Sequence, residues 1–295
     1  MQSNNPIFSR SPEFNGQGST GSGQNAYGNQ TYGGSGQPYA GYGESQADPS
    51  TWGTGSPTTA DRSSGPMTID SVVQKTAIAL FVVIATAAAT WFYIGDINAA
   101  DVSDSTLVRL NTALIIGSGA AFGLSLVNSF KRIISPALVL AFCAAEGVAL
   151  GALSKFFDAR FGDGIVTQAV IGTFAAFAGT LAAYKFFDIK VGNKFRTFVI
   201  AAVFGMVALS LLEMVLGFFG SQFGLFGFGG IGLVFSIVGL VLGIFMLILD
   251  FDFVEKGVAA GIEERESWRA AFAMTVSLVW IYTNLLRILA IFSQD

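Results

Sequence analysis

Ile248-Leu249-Asp250-Phe251-Asp252-Phe253-Val254-Glu255 closes the longest apolar run near the C-terminus. Residues 229–249 before it carry no charge. A helix needs about 20 apolar residues to cross a bilayer, so the run is long enough to span. Wound at about 100° per residue, Gly232, Ser236, Gly239, Gly243 and Asp250 fall on one narrow stripe. Gly239 and Gly243 form a GxxxG pair, the small-residue pattern that lets membrane helices approach closely. Asp250 therefore ends the stripe expected to face a helix bundle. Asp252, about 200° away, is expected to reach headgroups or cytoplasmic water. The competing reading is that Asp250 only marks where the helix leaves the membrane.

The rest of the chain repeats this pattern. It is 52% hydrophobic and only 12% charged, and the apolar residues gather in several runs of 20 or more. That balance indicates an all-α polytopic membrane protein. Spans are expected at about 75–94, 107–128, 136–156, 165–186, 196–218, 229–250 and 268–292, a seven-helix bundle. The short alternating segments of an outer-membrane barrel are absent. The net charge of −4, without a basic patch interleaved with aromatics, gives no reason to expect nucleic-acid binding. Cys143 is the only cysteine, so no intrachain disulfide can form. The chain has no histidine, which removes Ser-His-Asp and Cys-His catalysis and His-ligated metals together. No enzyme activity and no cofactor are expected.

Residues 1–66 are a different polymer, rich in Gly, Ser, Gln, Asn and Tyr, as in Tyr39-Ala40-Gly41-Tyr42-Gly43. They hold too little apolar surface to offset ordering entropy, and are read as a disordered tail ahead of a transmembrane domain over 67–295. The tail either solubilises or gives weak association through its tyrosines. It lacks the basic start and apolar stretch of a signal peptide.

Basic residues alternate by loop. The 95–106 connection carries acids only, while Lys131 and Arg132 lie in the next. Lys190 and Lys194 lie in the fourth connection, none in the fifth, and Lys256, Arg265 and Arg269 around the sixth. By the positive-inside rule the N-terminus is cytoplasmic and the C-terminus external. Arg160 in the third connection runs against this alternation. No internal repeat supports an inverted-repeat transporter.

Glu146 falls near the middle of the third span. A charged carboxylate there costs about 2.5–3.5 kcal/mol on insertion scales, so it must be protonated, paired or hydrated. It is a candidate proton-sensitive group; the alternative is a protonated Glu bonded to a neighbouring helix. Arg109 and Glu213 fall at similar depth near the outer side, where a structural ion pair between them is possible. Arg287 is expected to snorkel, and Asn284 to hydrogen-bond across helices.

With seven spans and this ending, the sequence resembles the Bax inhibitor-1 (transmembrane Bax inhibitor motif) family in its bacterial branch, over roughly residues 67–293. The resemblance is carried by Leu249-Asp250-Phe251-Asp252 and by Glu146-Gly147 with Leu150-Gly151. The last span adds Leu278-Val279-Trp280-Ile281-Tyr282-Thr283-Asn284-Leu285-Leu286-Arg287-Ile288-Leu289. It implies a bundle with the last helix at its centre, in the plasma membrane of a bacterium. It also implies a carboxylate pair from the last two spans acting as a pH-responsive latch on a calcium leak. Asp250 matches the first member, but Ile281 stands at the second aspartate position. Glu146, Lys75, Lys131, Arg132 or Asn284 then become the candidate partners of Asp250.

Two functions follow as expectations. The first is a pH-sensitive cation leak, with calcium as the transported ion. Coupled carboxylates cannot both ionise cheaply, and hard cations want oxygen ligands. The second is a non-conducting modulator of a membrane protease or stress-response complex. An intramembrane aspartyl protease is disfavoured, because the spans hold no Gly-x-Gly-Asp motif and Ile281 removes the second aspartate of a dyad.

Overall fold

The computed structural model describes residues 65–95, 97, 104–162 and 164–294; the expectation for the tail falls, but for residues 65 and 66, outside them. Seven helices follow in order: α1 Ile69–Ile94, α2 Asp104–Phe130, α3 Pro136–Phe161, α4 Ile165–Phe186, α5 Asn193–Phe218, α6 Gly230–Ala259 and α7 Ser267–Phe292. A 3₁₀ turn, Glu264–Glu266, leads into α7. All seven are long and apolar enough to cross a membrane.

Local chemistry explains where the helices exceed the apolar runs. α1 begins before its expected span because Thr68 caps it, accepting from the Ser71 N–H at 3.1 Å while Ser71 Oγ returns a bond to the Thr68 N–H. α3 opens on Pro136, whose missing N–H costs nothing at that position. α6 runs nine residues past Asp250, so the end of the apolar run is not the end of the helix.

α7 stands at the centre, packed against α1, α3, α4 and α6. α2 lies on α3, and α5 lies on α6. Two buried clusters flank α7. One joins Val139, Phe142, Cys143 and Leu150 of α3 to Tyr282, Leu286 and Ala290. The other joins Leu247, Phe251 and Val254 of α6 to Met274, Leu278 and Ile281. Large apolar side chains such as Phe92, Phe122 and Phe204 face outward, as a lipid-facing perimeter requires.

Side-chain ties join connections at the same end of the bundle. At the end holding the start of α1, called the inner end below, Lys75 pairs with Glu264 at 2.9 Å and Arg269 donates to the Arg132 carbonyl at 3.1 Å. Residues 65–67 pair there with the α6–α7 connection. Met67 N–H donates to Ile262 O at 2.7 Å and Glu264 N–H to Gly65 O at 2.9 Å. Met67 is fully buried against this connection and Gly257. A boundary drawn at residue 66 cuts through this contact.

Candidate functional site

The stripe on α6 does face α7. A Cβ on Gly239 would meet Asn284, with Cγ at 2.8 Å, and one on Gly243 would meet Ile281 Cγ1 at 2.6 Å. α7 answers with a polar stripe at helical spacing, Ser277, Trp280 and Asn284. Trp280 Nε1–H donates to the Gly239 carbonyl at 2.8 Å, and Ser277 Oγ–H donates to Asp250 Oδ2 at 2.6 Å. Asp250 is half-buried and Ser277 fully buried. This seam, rather than a second carboxylate, holds Asp250.

Several expected partners are placed elsewhere. Lys75 is committed to Glu264, and Lys131 and Arg132 are exposed. Asn284 donates back to Trp280 O within its own helix at 2.8 Å, so the cross-helix bond belongs to Trp280 instead. Ile281 packs fully buried against Gly243, one turn outward of Ser277. The antiparallel register thus sets Ser277, not Ile281, opposite Asp250.

Asp252 corrects the expectation that it reaches water. It is only 7% exposed and pairs with Lys256 Nζ at 2.7 Å, one turn further along. α6 continues as helix to Ala259, so the position beyond Asp250 is still packed. The Tyr184 hydroxyl donates to Glu255 nearby and ties α4 to the same end.

Arg109 and Glu213 form no pair. Similar depth is not proximity, since α2 packs on α3 while α5 packs on α6. Arg109 lies 5.5 Å over the Tyr93 ring. Buried Glu213 accepts from the N–H groups of Phe223, Gly224 and Leu225 at 2.9, 2.8 and 3.0 Å. Gly224 takes φ +80°, which favours glycine. Arg287 does not snorkel freely: it donates to Leu225 O and lies 5.2 Å over the Phe226 ring. An acid on α5 and a base on α7 thus clamp the uncharged 219–228 loop through its peptide groups, not each other.

Glu146 is half-buried on the arc of α3 that also carries Val139, Cys143 and Leu150. That arc meets α7, with Phe142 and Phe272 rings 5.0 Å apart and Ser154 bonded to Tyr282 at 2.6 Å. No hydrogen bond or ion pair reaches the Glu146 carboxylate among the described residues. Asp250, Ser277 and Glu146 each stand about ten residues, hence about 15 Å, from the inner end. α3 and α6 share no extended contact, so the two acids do not meet. They sit at one level on different sides of the central helix.

Ser277, Trp280, Ser154 and Tyr282 were not legible as site residues from composition. The polar spacing Ser277, Trp280, Asn284, in register with Gly239 and Gly243, is the signal that marks the first two.

The chain matches the family described as Bax inhibitor 1 like over residues 5–294, a match that takes in the polar segment before the first helix as well as the bundle. No curated protein matches it. Seven spanning helices with α7 at their centre, and Asp250 on the α6–α7 seam, agree with that match. The chain belongs to the Bax inhibitor 1 like family.

Proposed function

We propose that the protein is a proton-regulated cation leak of the bacterial plasma membrane, with calcium as its ion and Asp250 as its switch. It carries out no catalysis in this reading. The observation that supports it is the bond from Ser277 on the central helix to Asp250 on α6. An ionised carboxylate can only accept, so the Ser277 O–H is held on it. Protonation places a hydrogen on one of those lone pairs and leaves Ser277 a neutral acceptor. A hydrogen bond to a charged acceptor is worth about 1.5–3 kcal/mol and a neutral one about 0.5–1.5. The difference, about 1–1.5 kcal/mol, shifts a two-state packing of α6 on α7 by roughly tenfold. That is a graded leak rather than an all-or-none gate. Half-buried Glu146, at the same level on another side of α7, offers a separate carboxylate oxygen to a hard cation.

The test is calcium entry into proteoliposomes of the full chain across pH 6–8. Activity that responds to pH in the wild type and becomes flat in Asp250→Asn is the expected result. A pH response unchanged in Asp250→Asn would remove Asp250 as the switch.

The second reading is a non-conducting modulator of a membrane protease or stress-response complex. It is favoured by fully buried Ile281, which leaves the α6–α7 seam with one carboxylate rather than two. Absence of flux at every pH, from protein that unfolds cooperatively, would select it.

The same proposal sets the inner end in the cytoplasm. Lys131, Arg132, Lys190, Lys194, Arg265 and Arg269 all lie on helices or connections at that end. Cysteines at Ser56 and Ser293 in a Cys143→Ala background test it. Ser56→Cys should resist an impermeant thiol reagent in intact cells, and Ser293→Cys should react.

A further inference from the structure

A cavity of about 450 Å³ lies between α1, α3, α4 and α7, away from the Asp250 seam. That is within the range of small-molecule sites. Its α1 wall runs from Leu80 to Phe92, about 18 Å along the helix. α1 and α4 have no extended contact, so the cavity opens sideways between them. The rim residues Ile84, Phe92 and Phe174 are 53%, 81% and 46% exposed. In a bilayer that mouth faces acyl chains, not water.

The few polar atoms in the wall have a fixed sense. Ser154 has one O–H, and it is spent on Leu150 O at 2.6 Å. With the Ser154 O–H on Leu150 O, the 2.6 Å contact between Ser154 and Tyr282 is assigned to the Tyr282 hydroxyl as donor. Thr173 likewise spends its O–H on Ala169 O at 2.8 Å. Ser154, Tyr282 and Thr173 thus offer the cavity lone pairs only. Thr167, on the α4 rim, keeps a rotatable hydroxyl, and Lys155 and Asp158 at the outer end are both already engaged. A guest that brings an O–H completes the Tyr282 oxygen, whereas an ether or ester oxygen meets lone pairs.

We propose that this cavity binds a single-chain membrane amphiphile with a hydrogen-bond donor and no ester, of the long-chain alcohol class. The chain lies between α1 and α4, and the hydroxyl donates to Tyr282. Entry is lateral, from the bilayer.

Trp91 lines the outer part of the cavity and reports on occupancy. The full chain in lipid nanodiscs is titrated with terminally brominated undecanol and, separately, with its methyl ether, following tryptophan quenching. Trp91→Phe identifies the component that belongs to the site. The alcohol should quench that component at about threefold to tenfold lower concentration than the ether, the worth of one hydrogen bond. Ala88→Phe, which fills the cavity from an exposed position, should abolish it, and Val170→Trp on the opposite wall serves if that variant does not fold. Ser154→Ala supplies the decisive arm. It leaves the Tyr282 O–H without its acceptor, so alcohol and ether can both accept from it and the preference should disappear. Equal quenching by alcohol and ether in the wild type, or quenching indifferent to both filling variants, would overturn the proposal.

Discussion

Two helix pairs in this bundle are built on glycines four residues apart, and they are built differently. On α3, a Cβ at Gly147 would strike the Thr86 side chain and the Val83 carbonyl of α1, and one at Gly151 would strike α1 backbone alone, at the Ala87 carbonyl and at Ala87 Cα, 2.9 Å away. On α6, a Cβ at Gly239 or Gly243 would strike side chains of α7, Asn284 and Ile281, along with Met206 of α5. At Gly151 the α1–α3 pair is backbone against backbone and cannot yield. The α6–α7 seam is side chain into groove, cross-tied by Trp280 to Gly239 O and by Ser277 to Asp250. Side chains have rotamers and backbones in a helix do not, so the seam that can repack is the one carrying Asp250.

The largest effect should come from testing that difference directly. Gly151→Ala forces two helix backbones apart and should either prevent folding or cost more than about 3 kcal/mol. Gly243→Ala asks only Ile281 and Trp280 to move, and should cost about 1–3 kcal/mol, as overpacking commonly does. Thermal unfolding in one detergent compares them. Equal losses would erase the distinction between a rigid pair and an adjustable seam.

The seam is pinned at its inner end by residues 65–67, and truncation sharpens that point. Removing residues 1–64 should leave the unfolding temperature unchanged. Removing 1–67 takes away the Met67–Ile262 and Glu264–Gly65 backbone bonds and the buried Met67 side chain. Burial of one such side chain is worth about 1.5–3 kcal/mol and each of the two bonds about 1, so a loss of about 3.5–5 kcal/mol is expected. If both truncations melt alike, the segment is not a clasp.

The fold was open to reading because bilayer thickness sets helix length, and seven apolar runs announce themselves. The face of α6 was legible for a similar reason, since Gly239, Gly243 and Asp250 repeat at helical spacing. Partners were not. A one-dimensional pattern gives depth and azimuth of a residue on its own helix, not which helix stands beside it. Arg109 and Glu213 share a depth and never meet, because α2 and α5 pack against different neighbours. Asp250 is held by Ser277 and by none of Glu146, Lys75, Lys131, Arg132 or Asn284, since register between antiparallel helices depends on the length of the α6 extension beyond the apolar run. Asp252 failed for the same reason: the helix does not stop where the hydrophobicity does.

That register yields the next prediction. Ile281→Asp would bury a carboxylate beside Gly243 and Leu247, one turn from Asp250, and should destabilise without restoring a latch. Ser277→Asp places a carboxylate opposite Asp250 and should steepen or move the pH response of flux. Ser277→Ala removes the bond and should move the response by up to about tenfold in proton concentration, leaving expression intact. A stronger response from Ile281→Asp than from Ser277→Asp would mean the register is one turn off.

The smallest effect expected is that of Glu146→Gln, and it separates the two sides of the central helix. Gln keeps the size of the side chain and removes its charge. Asp250 is held by a donor on α7, so neutralising it alters a cross-helix bond and should flatten the pH response. Glu146 has no such bond among the described residues, and its neighbour Gly147 locks α3 onto the α1 backbone. Its protonation can change the field felt by a passing cation but has no helix pair to loosen. Glu146→Gln should therefore shift the midpoint of the flux-against-pH curve while the response itself remains. Because the two acids lie on different sides of α7 with no shared partner, the double variant should show the flat profile of Asp250→Asn with flux scaled by the Glu146→Gln factor. Strong non-additivity would mean the α1–α3 side moves with the seam after all, and an unchanged profile in Glu146→Gln would leave Glu146 as a neutral packing group.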